Sequence, residues 1–507
     1  MWHAYKKHYF KKNNSIIVCI NPSYLKINKN HSDSLTENEK IDVSINDTFE
    51  IIKEEKEYYL VNKNKIINSF ILISLNSKKN LNKYEMQKFK NFYVYCHSCY
   101  HNELIIIDDI LFYGYIIDPF YPKMDNNSII NEISKINNNK LLIENMSKYS
   151  GRFMMIKNDI CITDTCGQLQ TFYYKINNEF IITSSQKLIK ELYPKIKISS
   201  DKIKILGYER EFYGYEGLID NTFLLLPNHY LDINKKEIYR FTLFSNEEKI
   251  PDLVKVIKIL EGSFEAITHR YGDNLHMGLT SGKDSRCLLA FVDRYKDKIK
   301  FFYGFNGNNK ELLLAKELEK KLDLNLTKID LKENKPTKEF IKLYNSNRFT
   351  PYYSYIHIKS NLKYYLYKNN QNCMIITGTC AEIFRDFYNA KNIKNYEDLI
   401  NNINKKFSNN NYLKDFFKKY FNLSKNISEK NNIHICDLFY WEQRLGFWNG
   451  SNSEEFNIFG NIFIPFNNRI LIKELLKFNI NDRKKCNHYN QIITMKGMQD
   501  LLKIGFS

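Results

Sequence analysis

The hydrophobic period of this chain changes near residue 250, and that change limits the folds open to it more than any other feature. From 251 to 271, PDLVKVIKILEGSFEAITHRY puts apolar residues at 254, 256, 257, 259, 260 and 264, close to the spacing of one helical face. A strand pattern follows over 274–280 (NLHMGLT), then a helix over roughly 283–295, a strand (IKFFYGF), a helix (ELLLAKELEKKL) and a strand (NLTKIDL). CMIITG, at 373–378, reads as a further buried strand. Strands that alternate with helices are joined by crossovers, so this order predicts a mostly parallel, doubly wound α/β sheet. Before 240 the texture differs: FILISL, NFYVYCHS, LIIIDDILFYGYIID, RFMMIKNDICITD and FYYKINNEFIITSS are short β runs between Asn-rich turns. A boundary near 240–250 follows, giving one domain over 1–240 and another over 241–507. The stretch 391–435, rich in Asn and Lys, reads as a helical insertion, and no internal repeat is visible.

A chain of 507 residues with 43% hydrophobic and 26% charged residues has the composition of a globular protein with room for two or three cores. Its formal charge of +18 comes with abundant Asn, Ile, Tyr and Phe and few Gly (18) or Pro (9), the mark of an AT-rich coding habit. Lysines spread over the whole chain, as in IKELYPKIKISSDKIKIL, make a solvated surface, so the charge does not by itself indicate nucleic acid. No apolar run reaches the ~18 residues of a membrane span, and the N-terminal MWHAYKKHYFKKNNSIIVCI is too short in apolar residues for a signal core. The ten cysteines are dispersed, as in a reducing compartment, and the reading is a cytoplasmic protein without membrane partners. Cys96, His97, Cys99 and His101 form one cluster, but a zinc site of that type needs a second pair, and strand alternation accounts for it.

The sharpest motif is MGLTSGKDSRCLLAFV, 277–292. An apolar strand ends at Thr280, Ser281-Gly282 turn the chain, and a helix starts with Lys283, Asp284 and Ser285. Free backbone N–H groups and the helix dipole then point at one spot, an anion cradle to which Thr280 and Ser285 add hydroxyls. Asp284 would repel phosphate directly, so its natural task is to hold a Mg²⁺ that carries pyrophosphate. A capped helix start is the plainer account of the same residues. The loop lacks the GxxxxGK[ST] spacing of a standard phosphate loop.

Thr280 to Ser285 resemble the SGGxDS loop of the N-type ATP pyrophosphatases, with Ser281 at the first Gly. CMIITGTCAEIFRDFY (373–388) resembles the strand and SGEGADE stretch of asparagine synthetases, with Thr377, Gly378, Thr379, Cys380, Ala381 and Glu382 at S, G, E, G, A and D. FYWEQRLGFWNG (439–450) and IFIPFNNRILIKELL (462–476) resemble the segment ending in E-R-x-P-F-L-D, with Asn468 at the aspartate. SGRFMMIKNDICITDTCGQLQTFYYKINNEFIITSSQKLI (150–189) and LLLPNHYLDINKKEIYRF (224–241) resemble the family's glutaminase domain. The resemblance implies an N-terminal α+β sandwich of the Ntn type followed by an ATP pyrophosphatase domain, similar in layout to β-lactam synthetases and lasso-peptide cyclases.

It also implies ATP and Mg²⁺ as cofactors and an enzyme that adenylates a carboxylate, releases pyrophosphate and passes the acyl group to an amine. Adenine would lie against backbone at Met277 to Leu279, Tyr303, Gly304 and Gly378, and pyrophosphate on Thr280, Ser281, Gly282 and Ser285, with Lys283 beside them. Asp284 and Glu382 would share Mg²⁺. The family's glutaminase uses an N-terminal Cys, whereas this chain starts Met1-Trp2, so the first domain is expected to be inactive and the amine to come from a substrate. Thr379 is a poor base for that amine, and Lys496 reads as a charge stabiliser or a surface lysine. Arg286 reads as a surface or phosphate-steering residue, Arg385 as an ion-pair partner of Glu382 three places earlier or a phosphate contact, Cys287 and Cys380 as core fillers, and Phe387 and Tyr388 as packing. Small-molecule, peptide or saccharide acids and amines all remain open as substrates, as does a homodimer. The rival readings are an RNA-modifying enzyme with a related loop and a non-catalytic ATP-binding relic.

Overall fold

The computed structural model describes residues 71–75, 84–97, 103–176, 179–199, 213–241, 250–280, 282–346, 358–369 and 372–505, with a few isolated positions and the backbone of five short strands between 8 and 62. In the first half, two antiparallel six-stranded sheets face each other. One runs in the order Glu237–Arg240, His229–Asp232, Ile160–Thr163, Ser150–Lys157, Ile110–Ile117, Leu104–Ile107. The other runs Thr222–Leu224, Phe172–Ile176, Glu179–Thr183, Ile71–Leu75, Phe92–His97, Tyr84–Phe89.

Alternation along the strands sorts their side chains between layers. Leu111, Tyr113, Met154 and Ile156 meet Ile71, Ile73, Val94 and Ile182 between the sheets. Ile110, Phe112, Ile116 and Phe153 point the other way, onto helices Asn126–Ser134 and Asn139–Asn145 through Ile129, Ile130, Ile133 and Leu142. Leu72, Tyr95 and Ile181 of the second sheet likewise meet Leu188 and Ile189 of the helix Gln186–Leu192. Both faces of Ile110–Ile117 are therefore covered, which is why that run shows no polar alternation. The hairpin between Ser150–Lys157 and Ile160–Thr163 turns on Asn158 and Asp159, both at positive φ (49° and 60°), the geometry that matches strand twist in two-residue turns. The result is the α+β sandwich expected from the sequence. Cys96 is buried in its strand, while Cys99 and His101 lie outside the described residues.

The second half carries the expected parallel sheet. Its five strands lie in the order Leu326–Asp330, Ile299–Phe305, Leu275–Gly278, Cys373–Ile376, Gly460–Phe463, every neighbour parallel. The helix Leu253–Tyr271 precedes it, capped by Asp252, whose Oδ1 accepts from Lys255 N at 2.9 Å. The helix after the first strand is shorter than the spacing predicts, Lys283–Leu289, because Ala290, Phe291 and Val292 bond back three residues and tighten the chain. The 391–435 stretch is helical, chiefly Tyr396–Asn404 and Asn411–Asn431.

The change of texture near 250 does not coincide with a gap in packing. Tyr115, Ile117 and Cys166 of the first half belong to the core cluster built on the parallel sheet. Phe172, Tyr213 and Leu224 share another with Leu413, Phe416, Phe417 and Tyr420 of the inserted helices. Gly262 marks the closest approach: a Cβ there would lie 1.8 Å from Pro119 O, so no larger residue fits without parting the halves.

Candidate functional site

Numbered along the chain, the parallel strands lie in the order 3-2-1-4-5, so the winding reverses between Leu275–Gly278 and Cys373–Ile376. Open parallel sheets hold ligands outside the carboxyl ends of the strands at such a reversal, because the loops there part in opposite directions. The two loops that leave these strands are 279–282 and 377–380, the two stretches that the sequence singles out. They touch. A Cβ on Gly378 would stand 3.4 Å from both Asp284 Cβ and Ser285 N, so glycine at 378 lets the second loop lie directly on the first helical turn.

On the first loop, Leu279 N–H donates to Phe302 O at 2.7 Å and carries the sheet pairing one residue past the strand. Thr280 is exposed and its hydroxyl donates to Ser285 Oγ at 2.8 Å. Gly282 is the N-cap of Lys283–Leu289 and brings no side-chain acceptor, so the first turn is left without a side-chain cap. Asp284, in that turn, pairs through Oδ2 with Arg385 Nη2 at 2.8 Å. Its Oδ1 is buried with no hydrogen-bond partner. Burial pushes the Asp284 carboxyl up to about 7, with Glu382 adding to the rise and Arg385, Tyr489 and Lys283 opposing it.

The second loop is held in an unusual backbone. Cys380, at a glycine position of the resembled motif, has φ 75° in the left-handed region, and its buried side chain fixes it there. A short 3₁₀ helix, Ala381–Arg385, follows. Tyr489 donates to Ala381 O at 2.9 Å and Arg483 Nη1 to Ile383 O at 3.1 Å, while Arg483 Nη2 is anchored on Asp437 at 2.6 Å. Asp386 then accepts from Ala390 N at 2.9 Å and pairs with Lys484 at 3.3 Å. So pinned, the turn presents Glu382, whose Oε2 accepts from Tyr440 at 3.1 Å. Tyr440 begins a ten-residue π-helix, Tyr440–Asn449, a wide helical form that occurs frequently at functional sites.

Asp284, Glu382, Gly378, Thr280, Gly282, Lys283 and Ser285 thus come together; Ser281 lies outside the described residues. Leu279 turns its side chain into the core. Tyr303 and Gly304 stand on the neighbouring strand, Tyr303 buried with its hydroxyl 3.4 Å from Glu311 Oε2. Cys287 and Cys380 are buried, as expected for core fillers.

Three expectations are corrected. Arg286 is no surface residue: it is 1% exposed and donates to Leu501 O, Ile504 O and Gly505 O at 3.2, 2.6 and 2.7 Å, because the segment 501–505 packs over it. Arg385 makes its ion pair with Asp284, at the start of the neighbouring helix, and not with Glu382, whose charge nonetheless acts on it. Phe387 packs on Tyr440 and Tyr388, each with ring centroids 5.0 Å away, as expected of a packing residue, and its 44% exposed ring also lies under the Arg444 guanidinium. Asn468, at the aspartate position of the resembled segment, faces the first half: it donates to Lys148 O at 2.8 Å and caps Arg469–Leu476 through Leu471 N at 3.1 Å. Lys496 pairs with Glu261. Tyr440, Tyr489 and Arg483 were not singled out in the sequence, because their partners lie 58 to 108 residues away and only the fold joins them.

No protein-family model matches the chain, and no curated protein does. Among solved structures, glutamine phosphoribosylpyrophosphate (PRPP) amidotransferase from B. subtilis, complexed with ADP and GMP, aligns over 55% of this chain and 65% of its own length, at 8% identity and a TM-score of 0.21. That likeness is too slight to carry an activity across. Among the described residues no helix is long and apolar enough to cross a membrane.

Proposed function

We propose that the crevice at the strand reversal binds ATP with Mg²⁺, and that the protein is an ATP-dependent, asparagine synthetase-like ligase that joins a carboxylate to an amine with release of AMP and pyrophosphate. The observation that carries this reading is the pair of carboxylates, Asp284 and Glu382, brought from two loops to one crevice, with Asp284 Oδ1 buried and unpartnered. The donor set suits Mg²⁺, which takes one or two protein carboxylates and completes its shell with phosphate oxygens and water. Among the described residues no group of three or more His, Cys, Asp or Glu could hold a metal without such help. Bound there, Mg²⁺ would neutralise charge on the departing pyrophosphate.

The chain's own groups would do the rest. Thr280 and Ser285 offer hydroxyls to phosphate, Lys283 adds a positive charge at the same turn, and Gly378 keeps the second loop close. Tyr440 fixes the direction of Glu382. The acid and the amine are not specified by these residues. One rival is favoured by a specific contact: the Arg385 pair on Asp284 would suit an ATP-binding relic without turnover.

A pyrophosphate-exchange assay with pooled amino acids, dicarboxylates, uronic acids and peptides separates the two. The wild type should convert ATP to AMP and pyrophosphate with Mg²⁺, and Asp284→Ala should lose about 10²-fold or more of that rate while remaining folded. ADP and phosphate as products would sink the assignment; ATP retained on equilibrium dialysis with no turnover on any acid would favour the relic.

A further inference from the structure

We propose that Arg385 is an internal stand-in for the metal: it occupies Asp284 while the crevice is empty and moves onto the nucleotide's polyphosphate when a divalent cation takes its place. The inference rests on the nucleotide reading above and adds a gate to it. Arg385 meets Asp284 through Nη2 and Oδ2, at 2.8 Å. Guanidinium and carboxylate normally meet through two parallel bonds. Here the second halves are idle on both sides, since Asp284 Oδ1 and Arg385 Nε are each buried without a hydrogen-bond partner. A half-made pair neutralises the carboxylate yet leaves an oxygen for a stronger cation.

The surroundings allow the side chain to move and the backbone to stay. Ala381 O and Ile383 O are held by Tyr489 and Arg483, and Asp386, next in the chain, is held by Ala390 N and Lys484. The Arg385 side chain is 33% exposed against 15% for Asp284, so it lies on the solvent side of the pair, where it can turn outward. Something must also balance the two carboxylates before a metal arrives, because Asp284 and Glu382 at close range oppose each other's charge. Arg385 supplies that balance. Displaced, its guanidinium stands at the crevice mouth beside Lys283, with the planar fork that suits phosphate oxygens.

The test follows binding and needs no knowledge of the substrate. Mn²⁺ binding to the full chain is read by electron paramagnetic resonance with and without ATP, and ATP binding at saturating Mn²⁺ by equilibrium dialysis. A site blocked by the pair shows an apparent affinity reduced by the fraction of molecules in which the carboxylate is open, so Arg385→Gln should bind Mn²⁺ without nucleotide about tenfold more tightly than wild type. With saturating Mn²⁺ present, the same variant should bind ATP about tenfold more weakly, having lost the phosphate partner that the cation releases. Equal nucleotide-free Mn²⁺ affinity in variant and wild type, with ATP-dependent Mn²⁺ binding intact, would overturn the stand-in and leave the nucleotide site standing. Absence of Mn²⁺ and ATP binding in the wild type would overturn both. Should Arg385→Gln not fold, Arg385→Lys is read in the same way: its single-point charge should raise nucleotide-free Mn²⁺ affinity by about threefold, and no change would count against the proposal.

Discussion

His488 packs behind the 3₁₀ turn that carries Glu382, against Phe384. Its ring is 0% exposed, packed on Tyr489 with centroids 4.0 Å apart and near Phe384 and Phe478, and both ring nitrogens lack hydrogen-bond partners. Burial, with Arg483, Arg385 and Lys283 nearby, pushes its pKa from 6.5 down to about 3. Above pH 6.5 the ring is neutral folded or unfolded and pH has no leverage through it. Below that, the unfolded chain takes up a proton that the folded one refuses, so stability is lost as pH falls toward 3. The slope should be roughly 1 kcal/mol per pH unit from this residue. Thermal melts from pH 7 to pH 5 should therefore fall more steeply for wild type than for His488→Leu, a swap that keeps an apolar filler in an aromatic cage. Parallel curves would place the pH sensitivity elsewhere, with His276, whose pKa burial lowers to about 4, as the next group to change.

The short helix Lys283–Leu289 carries Asp284 at one end and Arg286 inside it, and the second residue is what anchors the first. Arg286 supplies donors to the carbonyls of the buried Leu501 and Ile504 and of the exposed Gly505. Arg286→Met, similar in length but without donors, should cost roughly 2–3 kcal/mol in denaturant unfolding, and should weaken ATP binding with it, because the helix loses its clasp. A shift in midpoint with ATP affinity unchanged would mean that the helix is positioned by the core alone. The strands, their order of appearance and both loops were legible in the sequence, since each is written in local periodicity and in turn residues. The clasp was not: Arg286 and its partners are more than 200 residues apart. Nor was the left-handed Cys380, since a cysteine does not advertise positive φ, or the π-helix, whose residues keep no 3.6-residue period. Asn468 was placed at the aspartate of the resembled segment, whereas the fold uses it and its neighbour Asn467 as donors to Lys148 O and Gly151 O across the molecule.

Those asparagines belong to a wider polar seam that makes one body of two textures. Asn467 donates to Gly151 O and Asp164 Oδ1 at 2.6 and 2.9 Å and accepts from Cys166 N at 2.8 Å. Trp441 donates to Thr165 O at 2.9 Å, and Tyr115 to Ile462 O at 2.6 Å. At the centre, Glu442 is 0% exposed and accepts from Arg240 Nε and Nη2 at 2.7 and 2.8 Å, from Asn228 at 3.0 Å and from Tyr420 at 3.0 Å. Burial alone would raise its pKa, but Arg240 and the other donors outweigh it and hold the carboxyl low. Such a group is safe only while its partners are present. Arg240→Met should leave an uncompensated buried charge and cost roughly 3–5 kcal/mol, whereas Arg240→Met with Glu442→Leu should regain most of that loss. Because the core clusters mix residues of both halves, tryptophan fluorescence and far-ultraviolet dichroism should report one shared guanidinium transition in the wild type and in both variants. If the two probes separate in the single variant and rejoin in the double, the uncompensated Glu442 carboxylate, not loss of the pair, uncouples the halves; if they separate in the wild type, each half folds alone and the seam is only a docking surface.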